Sequence, residues 1–137
     1  MSEQGKQVVR HYFEEIDRQR KIPLELLTPD IQVLPEGMPP MDANGFTHFG
    51  EAFFTAFPDL THNVEQLISE GDTVVSRVVL KGTHNGNFMG IPATGRPVTF
   101  TAINIAQVAG DKLREIRVLA DMGGLMQQLA PAPPAKQ

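Results

Sequence analysis

Residues 97–121, PVTFTAINIAQVAGDKLREIRVLAD, decide the architecture. The first thirteen are rich in β-branched and aromatic side chains and read as a strand. Gly110-Asp111 supplies a two-residue hairpin turn, and KLREIRVLAD (112–121) reads as the return strand. Upstream, TVVSRVVLKGTH (73–84) is a further strand, and THNVEQLISEG (61–71) is another that ends in a turn at Glu70-Gly71-Asp72. The segment between the second and third of these strands, NGNFMGIPATGR (85–96), is a loop dense in Gly and Pro. Downstream, Gly123-Gly124 are expected to break the strand pattern before LMQQLA (125–130) forms a last helical turn.

Toward the N-terminus the period changes. Residues 5–21 place Val8, Val9, Tyr12, Phe13 and Ile16 at helical spacing, with Arg10, Glu14, Asp17 and Arg18 on the other face. Pro23 is expected to open a short helical turn in PLELLTPD, and IQVLP (31–35) reads as a short strand. EGMPPMDANG is a Pro/Gly loop. Residues 43–57 return to a helix that gathers Phe46, Phe49, Phe53, Phe54 and Phe57, and Pro58 stops it. Helices first and an antiparallel run of strands afterwards predict an α+β fold.

The chain has 137 residues, which suits one domain over 1–129 followed by a Pro/Ala-rich tail (130–137) expected to be disordered. A domain of this size buries roughly 68–70% of its unfolded surface, enough for a core and a small-molecule pocket. Apolar residues are 41% and charged residues 20%, a globular composition. A net charge of −4 argues against a nucleic-acid partner. The absence of cysteine excludes disulfides, thiolate zinc sites and cysteine nucleophiles. Neither a signal-peptide core nor a membrane-length apolar run is visible, so a cytoplasmic location without membrane association is expected.

Several residues stand out for chemistry. Asp121 follows Val118, Leu119 and Ala120 and precedes Met122; such apolar company suggests a partly desolvated carboxylate suited to proton transfer, or else a strand-end cap. Arg117, Leu119 and Asp121 have one parity, so an inward Asp121 implies an inward Arg117, or a structural ion pair of Arg117 with Glu115. Tyr12 is the only tyrosine and lies on an apolar helix face, where its hydroxyl needs a partner. Arg77 interrupts a valine-rich strand and faces either solvent or a polar cavity. His11 and His62 are expected to face solvent, while His48 and His84 are candidates for ligand contact. No histidine pair has the spacing of a helical metal site, so no metal ligand is assigned. Phe49, Phe53 and Phe88 are candidates for an apolar pocket wall.

Phe57-Pro58-Asp59, Glu70-Gly71-Asp72, Gly82-Thr83-His84, Gly90-Ile91-Pro92-Ala93-Thr94-Gly95-Arg96, Asp121 and Gln127-Gln128-Leu129 occur in that order. This set resembles the SnoaL-like polyketide cyclases, within the NTF2-like superfamily of cone-shaped α+β barrels, over roughly residues 5–129. The resemblance implies helices packed on a curved antiparallel sheet around a pocket. It implies intramolecular aldol closure of a hydrophobic carbonyl compound without metal or cofactor, with Asp121 as acid/base. Tyr12 resembles in position the oxyanion-donating tyrosine of ketosteroid isomerases. Asn104, Gln107 and Arg117 become candidate oxygen-binding groups, with Arg117 standing where the family commonly has tryptophan. Isomerase, dehydratase and epoxide hydrolase chemistry, or ligand binding alone, are the alternatives the superfamily offers. Surplus apolar residues in residues 73–80 and 98–108 predict a homodimer through the outer sheet face.

Overall fold

The computed structural model describes residues 2–130; the tail beyond Ala130 lies outside them. Helix α1 spans Ser2–Gln19 and buries Val9, Tyr12, Phe13 and Ile16, the stripe that 3.6-residue periodicity brings to one side. A single 3₁₀ turn at Leu24–Leu26 leads into strand β1, Leu27–Pro35. The strand therefore begins four residues earlier than the short IQVLP segment suggests, because Leu27 already pairs with Leu113. Asp42 caps helix α2, Ala43–Ala56, by accepting from the Gly45 amide at 2.8 Å.

Strands β2 (Thr61–Glu70), β3 (Thr73–Thr83), β4 (Pro97–Ala109) and β5 (Lys112–Ala120) follow. Gly71 and Gly110 take positive φ in the two tight turns, at 59° and 66°, where a side chain would be strained. The sheet order is β1-β5-β4-β3-β2. Three neighbour pairs are antiparallel, but β1 runs parallel to β5. The sheet is thus mixed, not wholly antiparallel as expected. The long path between β1 and β5, which includes α2, permits the parallel pairing that a hairpin cannot make.

Burial alternates along β4, with Val98, Phe100, Ala102, Asn104, Ala106 and Val108 all on the inner face. Helices α1 and α2 pack over that face. Gly50 lets α2 approach closely, since a Cβ there would lie 2.7 Å from Ile22 Cγ1. Helix α3, Met122–Leu129, runs through Gly123 and Gly124 instead of starting after them. Asp121 caps it by accepting from the Gly124 amide at 2.9 Å, and a Cβ on Gly124 would overlap that carboxylate. The glycine that looks like a breaker is what lets the cap form.

Candidate active site

A cavity of about 120 Å³ lies between α1, α2 and the inner sheet face. Its wall is mainly apolar. Helix α2 contributes Phe46, Phe49, Phe53 and Phe54, and the sheet contributes Val78, Leu80, Phe100, Ala102, Ile116, Val118 and Ala120. Phe53 is its central ring, with centroids 5.0 Å from Phe49 and 5.1 Å from Phe88. Phe88 itself is buried behind Phe53 and does not reach the cavity.

Three side chains bring hydrogen-bonding groups to this wall: Tyr12, Asn104 and His62. Tyr12 is 3% exposed, and burial pushes its hydroxyl well above the ordinary phenol range. It therefore stays protonated and serves as a donor. Asn104 is 7% exposed and sits opposite Ser76 on β3. Among the described residues neither the Tyr12 hydroxyl nor the Asn104 side-chain amide has a hydrogen-bond partner, and the buried Ser76 hydroxyl also lacks one.

The third group was not expected here. His62 is the second residue of β2 and is largely buried, with a side chain 12% exposed. Its Nδ1 lies 2.7 Å from Asp17 Oδ1, and its backbone amide donates to Asp17 Oδ2 at 2.8 Å. Phe13 stacks on the imidazole at 5.7 Å between centroids. His62 does not face bulk solvent because α1 lies over the start of β2. Asp17 stands one helical turn beyond Phe13, a spacing that places a carboxylate beside the apolar stripe and was the available signal.

The other candidates fall elsewhere. Ile116, Val118 and Ala120 point into the cavity, so strand alternation turns Arg117 and Leu119 outward. Arg117 is exposed, with Nε 3.6 Å from Glu115 Oε2, and does not share the cavity face. Asp121 lies just past the strand end, between the cavity residues Ala120 and Met122. It is exposed, not desolvated, and its carboxylate is engaged in the α3 cap. Arg77 is exposed on the outer face, and Gln107 accepts from the Thr73 hydroxyl at 3.1 Å away from the cavity. His48 is on the solvent side of α2, with Nδ1 3.1 Å from Glu51. His84 is fully buried outside the cavity, with Nδ1 against Thr94. No cluster of three or more His, Asp or Glu residues able to hold a metal occurs among the described residues. No helix among them is long and apolar enough to cross a membrane.

The model of the SnoaL-like polyketide cyclase family matches residues 6–129. Aklanonic acid methyl ester cyclase DnrD of Streptomyces peucetius is 35% identical over 75 residues, which is 54% of this chain and 52% of that protein. The chain thus matches about half the length of that curated relative. The SnoaL-like protein of Jannaschia sp. CCS1 superposes with a TM-score of 0.85 at 27% identity, covering 97% of this chain and 95% of the other. IdmH of Streptomyces antibioticus gives a TM-score of 0.81 at 27% identity, with 91% and 97% covered.

Proposed function

The chain belongs to the SnoaL-like polyketide cyclase family, and from that premise we propose that it closes a ring in a small hydrophobic carbonyl compound by intramolecular aldol chemistry. The observation that carries this is the pair of donors, Tyr12 and Asn104, that line one apolar cavity and have no hydrogen-bond partner among the described residues. A ligand oxygen that reaches them supplies the missing acceptor. The benefit is largest when the oxygen carries the negative charge of an enolate, because hydrogen bonds to a charged acceptor are about twice as strong. The site is therefore better matched to an enolate than to a neutral ketone, which is the condition for accelerating enolisation.

Cavity size restricts the substrate. Pockets that bury drug-sized ligands measure roughly 300–1,000 Å³. At about 120 Å³ this cavity suits a compound of one or two fused rings.

The test is turnover of a panel of short poly-β-keto aryl esters, read as cyclised product. Tyr12→Phe and Asn104→Leu should each reduce kcat by about 10²–10³-fold, the usual effect of deleting an oxyanion donor, with the fold retained. Turnover at the wild-type rate in both variants would overturn the reading. Asp121 remains a second candidate for the acid/base, favoured by its place between two cavity residues. Asp121→Asn separates the two roles, since asparagine caps a helix as well as aspartate does but transfers no proton.

A further inference from the structure

We propose that His62, oriented by Asp17, is the base that takes the α-proton of the substrate. This assignment rests on the cyclase-type reading above and names the group that moves its proton. An ionised carboxylate only accepts hydrogen bonds, so the 2.7 Å contact with Asp17 fixes the imidazole proton on Nδ1. Nε2 is then the basic nitrogen. It has no partner among the described residues, and His62 lines the same cavity as Tyr12 and Asn104.

Asp17 and two phenylalanine rings adjoin the imidazole. Asp17 accepts from both the ring and the backbone of His62. Phe13 stacks on one face with 28° between planes, and Phe54 stands 6.5 Å away at 50°. A base oriented by a third group and sharing an apolar cavity with oxyanion donors is the arrangement acid/base catalysis requires.

The step balances without a co-reactant. Nε2 takes the proton from the carbon alpha to a carbonyl, and the C–H electron pair moves into the enolate. Tyr12 and Asn104 donate to its oxygen. The enolate carbon attacks a second carbonyl of the same molecule, forming the C–C bond and an alkoxide. His62 returns its proton to that alkoxide and is neutral again. Asp17 stays ionised throughout and acts as a positioning residue.

A salt bridge that merely staples α1 to β2 has the same contact with Asp17, so the decisive readout is Nε2. The probe is 2-naphthol, a fused-ring enol, added to the full chain carrying ¹⁵N-histidine. The free protein should show His62 protonated on Nδ1 only. On binding, the Nε2 resonance should move to the protonated position while the naphthol absorbs as naphtholate. Asp17→Asn should mix the two tautomers and weaken this proton transfer at least tenfold, with 2-naphthol affinity little changed. Naphthol that binds with Nε2 unmoved overturns the assignment and leaves the cavity reading intact. A free protein protonated on Nε2 also overturns it. Naphthol that does not bind at all removes the cavity reading, and this assignment with it.

Discussion

Tyr12 shows how one residue carries both stability and function in opposite senses. Its ring is packed edge-on against Phe13, with centroids 5.0 Å apart, while its hydroxyl meets the cavity without a hydrogen-bond partner among the described residues. Removing that hydroxyl keeps the packing and deletes the unpartnered donor. Tyr12→Phe is therefore expected to be as stable as wild type or more stable by about 1 kcal/mol, even as turnover falls. Urea unfolding measures this, and a loss of 2 kcal/mol or more contradicts it. His62 teaches a different lesson at the same scale. Its partner Asp17 is 45 positions away. Parity along β2 can say which residues share a face, but not that a carboxylate of α1 arrives over the start of that strand.

At the scale of elements, the features that carried the family resemblance prove to be joints of the scaffold. Asp59 accepts from the Thr83 amide at 2.7 Å and its hydroxyl at 2.8 Å, tying the end of α2 to β3. Arg96 donates to the carbonyls of Gln128 and Ala130, and Gln128 brackets Thr99 on β4, which together fasten α3. A Cβ on Gly86 would overlap the Thr55 carbonyl. The hydrogen bonds from Thr83 hold the Asp59 carboxyl below its ordinary range. A carboxylate whose folded pKa is lowered contributes stability above its unfolded pKa of ~3.9 and loses it as pH falls through the folded value. Stability should thus drop below about pH 4, and Asp59→Asn should flatten that dependence in acid titrations followed by circular dichroism. An unchanged acid limb contradicts it. The α3 cap gives a second check: Asp121→Ala should cost about 1 kcal/mol, and Asp121→Asn only a few tenths. Equal losses in the two would show that the charge, not the cap, matters. The β4–β5 hairpin was legible because the Gly110-Asp111 turn and the β-branched and aromatic run before it both mark it. The start of α3 was not, since a glycine pair has the same look whether it breaks an element or admits a cap. Nor was the β1–β5 pairing, because alternation records a face and not a neighbour.

Across the whole molecule, the two sheet faces divide the labour. The inner face makes the cavity, whereas the outer face leaves Ile105 at 38% and Leu119 at 57% exposed, beside Ile68 and the exposed Arg77 and Arg117. Ile68, Val75, Ile105 and Arg117 follow one another across β2, β3, β4 and β5. We propose that a second copy of the chain covers this outer face. Light scattering at micromolar concentration should give the dimer mass, and Leu119→Glu should give the monomer; a monomeric wild type contradicts this. The division also explains why the placement of the candidate residues was only partly legible. Apolar cavity residues such as Phe49 and Phe53 follow from helical spacing. The direction of Arg117 depends on which parity of β5 faces the helices, and that of Asp121 on where the strand stops, at Ala120.

With His62 as the base, proton transfer occurs inside the cavity and not at the strand-end Asp121. Deuterium uptake at the α-carbon of 2-tetralone in D₂O, followed by NMR with wild type, His62→Gln and Asp121→Asn side by side, distinguishes the two positions. Wild type should accelerate exchange over buffer, His62→Gln should lose about 10²–10⁴-fold as expected for a missing general base, and Asp121→Asn should remain close to wild type. The opposite order, with exchange intact in His62→Gln and lost in Asp121→Asn, would contradict the account.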